Sequence, residues 1–279
     1  MKLTELTAIA IQAARAAAQV IQQYSQEAIT VQKKEGGANY ASQVVTAADL
    51  ASEKVILSHL LPSCKAYDIG LLSEETDDDG SRFTKDFFWC IDPMDGTLAF
   101  INGEPGYAVA IALVAKDGTP YIGVVLDPST NTLYHAAKGK GAFKNQKPWK
   151  ITRGNNHLTY VTDKKLTDTP GIATIEKYLE RQVHQLGLSG FVEMSGAGAV
   201  LSAIRVLENG PACMLKLPKK QKGGGSIWDY AATACIYNEL GLPATNFDGG
   251  QLDLNSTEST FMNTQGVFFG NLGERQKRY

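Results

Sequence analysis

The chain has 279 residues, 43% of them hydrophobic, with 27 Lys and Arg against 29 Asp and Glu and a formal net charge of −2. That length suits one large domain or two sharing an interface, and the charge balance excludes duplex nucleic acid or an anionic membrane surface as the main partner, since both need clustered positive charge. A small molecule is the expected partner.

Leu3, Leu6, Ala10, Ala13, Ala17, Val20, Ile21 and Tyr24 recur at three- and four-residue steps, which predicts an amphipathic helix. Its Glu5, Gln12 and Arg15 interrupt the apolar core that a secretory signal needs. After the polar stretch Lys33–Gln43, Thr46-Ala-Ala-Asp49 opens a second helical pattern through Leu50, Val55, Ile56 and Leu60, expected to stop at Pro62. Phe87–Ile91 reads as a buried strand, expected to end at Asp92 because Pro93 cannot donate to a ladder. Tyr107–Ala115, Pro120–Leu126 and Thr132–Ala136 are separated by Asp117-Gly118 and Asp127-Pro128, the pattern of an antiparallel meander. The longest apolar run, Tyr107–Ala115, falls far short of the roughly 18 residues that span a bilayer, so a cytoplasmic protein is expected.

From about Gly154 helical patterns at Gly171–Leu186, Ala197–Leu207 and Ile227–Leu240 alternate with short strands near Cys213–Leu217 and Val267–Phe269. This predicts two halves, 1–153 and 154–279, with the seam at Thr152–Asn156. Lys216–Lys222, four lysines in seven residues, and Gly223-Gly224-Gly225 read as a mobile basic loop. Cys64, Cys90, Cys213 and Cys235 are scattered, so neither a zinc site nor a disulfide framework is expected, only reduced thiols.

Two acidic clusters stand close together: Glu74-Glu75-Thr76-Asp77-Asp78-Asp79, five acids in six positions, and Asp92-Pro93-Met94-Asp95-Gly96-Thr97. Asp77, Asp78 and Asp79 read as a solvated loop beside Gly80. Glu74 follows the apolar pair Leu71-Leu72, and Asp92 and Asp95 can converge on one turn at a strand's end, where α/β folds bind ligands. Converging carboxylates repel, and all-oxygen donors with no His or Cys select Mg²⁺ or Mn²⁺ over zinc. Gly96 and Thr97 can present N–H groups and a hydroxyl to an anion if a helix begins there. The combination points to phosphate ester hydrolysis. A phosphatase with an aspartyl nucleophile in Asp-x-Asp-Gly-Thr would need that Asp at position 93, which is Pro.

Asp92-Pro-Met-Asp-Gly-Thr97, with Ser73-Glu74-Glu75 upstream, Ile227-Trp-Asp229-Tyr-Ala-Ala232 downstream and Val45-Thr-Ala-Ala-Asp49 as a fourth element, resembles the inositol monophosphatase superfamily of lithium-sensitive, Mg²⁺-dependent phosphatases. Gly103-Glu104 and Leu215-Lys216-Leu217-Pro218 are more similar to the 3'(2'),5'-bisphosphate nucleotidases within it. The resemblance implies a layered α/β/α/β/α sandwich holding two or three Mg²⁺, with Mn²⁺ an alternative. It implies metal binding by Glu74, Asp92, the Met94 carbonyl, Asp95 and Asp229, and water activation by Asp49 and Thr97. Gly96, Thr97, Lys216 and Asp229 would contact substrate, with Lys216 reaching a second phosphate. Asp49 and Asp229 also fit helix caps, as Thr46-x-x-Asp49 and Ser226-x-x-Asp229. The glycines of Ser195–Val200 fit close helix packing. The activity implied is removal of the 3'-phosphate from 3'-phosphoadenosine 5'-phosphate, giving AMP, by a monomer or homodimer. An inositol monophosphatase or other small sugar phosphatase, and a non-catalytic phosphate-binding regulatory protein, stay open.

Overall fold

In the computed structural model, residues 2–25, 31–33, 44–151, 154–163, 165–169 and 171–273 are described. The polar stretch at 34–43, two residues of the seam, Thr152 and Arg153, and the Thr46 side chain lie outside them. In chain order the elements are α1 (Leu3–Ser25), β1 (Val31–Lys33), β2 (Val44–Thr46), α2 (Ala47–Tyr67), β3 (Gly70–Ser73), β4 (Phe87–Asp95), α3 (Thr97–Ile101), β5 (Ala108–Ala115), β6 (Pro120–Asp127), β7 (Thr132–Ala137), β8 (Gly141–Lys144) and β9 (Lys147–Pro148). They continue with β10 (Leu158–Val161), α4 (Ile172–Leu186), β11 (Phe191–Met194), α5 (Ala199–Glu208), β12 (Ala212–Lys216), α6 (Ile227–Glu239), β13 (Ala244–Thr245) and β14 (Val267–Asn271).

Strands β3 to β9 form a seven-stranded sheet in sequential order, with β3 parallel to β4 and the rest antiparallel, which includes the expected meander. A five-stranded sheet has the order β11-β10-β12-β14-β13, with β10 parallel to both neighbours. Alternation along the strands assigns each face. Trp89, Ile91, Val109, Ile111 and Leu113 pack with Leu6, Ala10, Ala13 and Ala17 of α1 and Ile56 and Leu60 of α2. Their neighbours Phe88, Cys90, Ala108, Ala110 and Ala112 pack with α5, α6 and the inner face of the five-stranded sheet, Met214, Val267 and Phe269. The outer face of that sheet, with Leu158, Tyr160, Cys213 and Leu215, holds Ile175 and Leu179 of α4. A strand covered on both faces loses its polar alternation and reads as a continuous apolar run, which is why β5 is apolar throughout. The layers are therefore α1/α2, sheet, α5/α6, sheet, α4, the α/β/α/β/α sandwich.

Two prolines do not act as expected. Helix α2 runs through Pro62 to Tyr67. Proline removes one helical N–H, but the turn beyond it is anchored: the Ser63 hydroxyl donates to the Leu60 carbonyl at 2.6 Å and accepts from Trp89 Nε1 at 2.9 Å. Strand β4 likewise continues past Pro93 to Asp95. Asp92 pairs with Ala110 and Asp95 with Ala108, so three steps on β4 match two on β5. The extra residue is a bulge, and a proline there costs no ladder bond.

The basic loop is shorter than expected, because Lys216 belongs to β12, paired with Val267 of β14. The loop beyond it is held, not loose: the Lys219 N–H donates to the Asn263 carbonyl at 2.7 Å, and Asn263 Nδ2 donates to the Lys219 carbonyl at 2.9 Å. None of the described helices is long and apolar enough to cross a membrane. The cysteines are free thiols, with Cys90, Cys213 and Cys235 buried.

Candidate active site

The β4 bulge sets the geometry of the site. In a regular strand two residues three apart point to opposite faces. Here the extra residue restores phase, and both acids share the face of their partners Ala110 and Ala108, toward the α5/α6 layer. Asp229 meets them there from the first turn of α6. One carboxylate oxygen from each of Asp92, Asp95 and Asp229 lies within 4.8 Å of the others. Glu74 follows β3 directly, where Ser73 pairs with Ile91, so it stands beside Asp92; its N–H donates to the Ile91 carbonyl at 3.2 Å.

Asp92 is fully buried, and Asp95 is 8% exposed. Asp92 Oδ1 accepts from the Met94 N–H at 3.0 Å, while the buried Oδ2 has no donor. Burial first, and then the charges of Glu74, Asp95 and Asp229, raise the Asp92 carboxyl well above the ordinary aspartate range. Burial and the Asp229 charge push Asp95 up to about 8, against the opposing pull of the Val200 and Ala199 amides and Lys216. Asp229 is also raised, by burial, with the Ser226 N–H, Lys216 and Asp92 opposing. The Ser226 N–H donates to Asp229 Oδ2 in a capping box, so the cap and the cluster coexist at one residue. A buried acceptor with no donor, facing two further carboxylates, calls for a proton or a cation between them. Asp92, Asp95 and Asp229 can hold a metal ion, and their hard oxygen donors suit Mg²⁺ or Mn²⁺.

The remaining expected residues lie around this cluster. Gly96, at φ +85°, turns the chain from β4 into α3; a Cβ there would sit 2.5 Å from the Gly106 carbonyl oxygen. Thr97 is the first residue of α3, and its hydroxyl donates to the Met94 carbonyl at 3.3 Å. Asp49, 3% exposed, lies in the first turn of α2 on the same face as Ser52, whose hydroxyl donates to the Pro93 carbonyl at 2.8 Å. Lys216 Nζ pairs with Asp163 at 3.1 Å. Burial works against its charge, but Tyr230, Asp163 and Asp229 outweigh this and hold its pKa above the usual lysine value. The outer acids behave as loop residues: Asp77, Asp78 and Asp79 are exposed, with Asp78 accepting from Arg82 Nε at 2.7 Å.

The structure adds one feature that residue types did not reveal. The N–H groups of Ala199 and Val200, opening α5, donate to Asp95 Oδ1 at 3.1 Å and Oδ2 at 2.8 Å. At Gly198 a Cβ would come within 2.2 Å of Asp95 Oδ2, so only glycine permits this approach. Ser195–Val200 therefore grips a carboxylate, in addition to packing closely. The available signal was a Gly-x-Gly directly before an apolar helical pattern. Asp163 also escaped notice, since only the fold brings it to Lys216.

The sequence profile of the inositol monophosphatase family matches residues 2–277. The chain is 28% identical over 267 residues to inositol monophosphatase 1 of Solanum lycopersicum, covering 91% of this chain and 89% of that protein. It is 32% identical over 226 residues to the 3'(2'),5'-bisphosphate nucleotidase CysQ of Shigella flexneri, 78% of this chain and 82% of that one. Among solved structures, an inositol monophosphatase from Anabaena (Nostoc) superposes with a TM-score of 0.69 at 25% identity, covering 97% of this chain and 92% of its own.

Proposed function

This chain belongs to the inositol monophosphatase family, a family of metal-dependent phosphatases acting on small phosphorylated substrates, and from that premise we propose that it is an Mg²⁺-dependent phosphomonoesterase that removes the 3'-phosphate of 3'-phosphoadenosine 5'-phosphate to give AMP. The observation that carries the reading is the convergence of Asp92, Asp95 and Asp229 within 4.8 Å, with a donorless oxygen on Asp92. Glu74, Asp92, Asp95, Asp229 and the Met94 carbonyl would hold the metal. When bound, it supplies Lewis acidity toward the phosphoryl oxygens, the attacking water and the leaving oxygen.

The chain's own groups do the rest. Ala199 and Val200 fix the Asp95 carboxylate through two N–H bonds, so it need not reorient during the reaction. The Thr97 hydroxyl, which here donates to the Met94 carbonyl, would turn to Asp49 and accept a proton from water as its own passes to that carboxylate, and Asp49 would then return the proton to solvent. The water oxygen bonds to phosphorus in line with the departing ester oxygen, the P–O bond breaks, and the leaving oxygen takes up a proton from solvent. Gly96 and Thr97 orient the phosphoryl group at the start of α3.

Support for a second phosphate on the substrate comes from Lys216. Its charge acts on both Asp95 and Asp229, so it borders the acidic cluster, and Asp163 anchors it there. A specific observation also favours an inositol monophosphate or small sugar phosphate: Asp163 already offsets the lysine charge, which leaves a neutral pair suited to hydroxyl groups. Phosphate release from 3'-phosphoadenosine 5'-phosphate and from inositol 1-phosphate, measured in parallel with Mg²⁺ and with chelator, tests the reading. Faster Mg²⁺-dependent release from the nucleotide supports it, and faster release from the inositol phosphate supports the alternative. Metal binding with no release from either would identify a phosphate-binding regulatory protein.

A further inference from the structure

Glu53 is a buried acid that the proposed reaction does not use. It is 7% exposed and lies one turn after Asp49 on α2. Its Oε1 accepts from the Ser73 hydroxyl at 2.5 Å and its Oε2 from the Thr76 hydroxyl at 3.0 Å. Ser73 and Thr76 flank Glu74 and Glu75 in sequence, so both carboxylate oxygens are engaged by the segment that carries Glu74. The neighbouring residue on the helix, Ser52, holds the other arm of the site through the Pro93 carbonyl. One turn of α2 thus touches the end of β3 and the bulge of β4.

We infer that Glu53 is a positioning residue that fixes Glu74 at the metal through Ser73 and Thr76, while Ser52 fixes the bulge bearing Asp92 and Asp95. The inference deepens the proposed metal site and rests on Glu74 belonging to it. Three facts point the same way. Ser73 is 3% exposed, so its hydroxyl has little access to water as an alternative partner. Glu74 is half-buried and sits where β3 has ended, at the start of an exposed loop, with its N–H donating to the Ile91 carbonyl. A carboxylate satisfied twice by the two sides of this loop closes it as a clasp does. Groups behind a metal ligand typically change metal affinity or activity about 10- to 100-fold when removed.

The test is Mn²⁺ binding followed by electron paramagnetic resonance on the purified protein, together with the Mg²⁺ dependence of phosphate release and the melting temperature in chelator. Glu53→Gln retains size but replaces one acceptor with a donor; Ser73→Ala and Thr76→Val each remove one donor and leave the acid in place. The expected result is Mn²⁺ affinity about tenfold weaker in Glu53→Gln and in the Ser73→Ala/Thr76→Val double variant, and a matching rise in half-saturating Mg²⁺. At saturating Mg²⁺, kcat should fall less than about threefold, because the acid does not touch substrate. Wild-type Mn²⁺ affinity in these variants, with Glu74→Gln impaired, would overturn the role of Glu53 alone. Wild-type affinity in Glu74→Gln would overturn the premise and the inference together. A loss of affinity matched by loss of cooperative melting in both the single and the double variant would show a merely structural acid, and would also overturn it.

Discussion

The backbone N–H of Val200 donates to Asp95 Oδ2 at 2.8 Å across 105 residues of chain. This bond joins the seven-stranded sheet to the helix layer at the site itself, and Gly198 allows it. Gly198→Ala would place a methyl group 2.2 Å from the same oxygen. Overpacking of this kind costs about 1–3 kcal/mol. The expected outcome is a protein that still folds, melts several degrees lower and loses at least about a hundredfold in kcat/KM, since Asp95 must move. Circular dichroism melting and steady-state phosphate release check it.

Metal removal should make stability depend on pH with a defined sign. Asp95 ionises near 3.8 in the unfolded chain and near 8 in the metal-free fold. Between those values the fold keeps a proton that the unfolded chain has released, so unfolding free energy falls as pH rises and the loss is complete above 8. Asp92 and Asp229 shift in the same direction. In chelator the melting temperature should be higher near about pH 5 than near about pH 8, and excess Mg²⁺ should flatten or reverse that slope by binding the ionised set. Melting that rises with pH in chelator would contradict it.

Asp92→Asn should separate stability from activity. Its Oδ1 still accepts from Met94, and its new Nδ2–H has carboxylates to donate to where Oδ2 now has no donor. The metal-free protein should gain roughly 1 kcal/mol or more, about 2–4 °C in melting temperature. Phosphate release should fall by about a thousandfold or more. Retained activity would sink the assignment of Asp92 to the metal.

Lys216→Ala discriminates between substrates. If Lys216 reads a second phosphate, kcat/KM for the bisphosphorylated nucleotide should drop about 10- to 100-fold while inositol 1-phosphate changes less than about threefold. Equal losses on both would remove Lys216 from specificity and leave it as the structural partner of Asp163.

The legible part of the fold was the part written locally. The α1 stripe, the meander and the three helices of the second half follow from periodicity and appear within a residue or two of their expected bounds. Asp92 and Asp95 were legible because converging carboxylates demand a counter-charge, whereas Asp229 by itself reads as a helix cap and joins the set only through the family resemblance. The prolines misled, because their cost depends on whether the missing N–H had a partner. At Pro93 a bulge removes that need, and at Pro62 Ser63 and Trp89 hold the next turn. Lys216 lies in both the expected strand Cys213–Leu217 and the expected loop Lys216–Lys222, and the pairing to Val267 that decides for the strand lies far along the chain. The N–H grip of Ala199 and Val200 on Asp95 was invisible for a deeper reason: backbone groups have no residue identity, and only Gly198 marks the approach.

The site draws on both sheets. Asp92 and Asp95 stand on β4 of one, while Lys216 and its partner Asp163 stand at and just beyond the tips of β12 and β10 of the other. Under the reading proposed above, the tips of β12 and β10 would select the leaving group, while the carboxylates gathered by β4 and α6 would hold the metal. The two tasks are not independent, because the Lys216 charge reaches Asp95 and Asp229, so a change at the β12 tip also resets the charge balance of the acids.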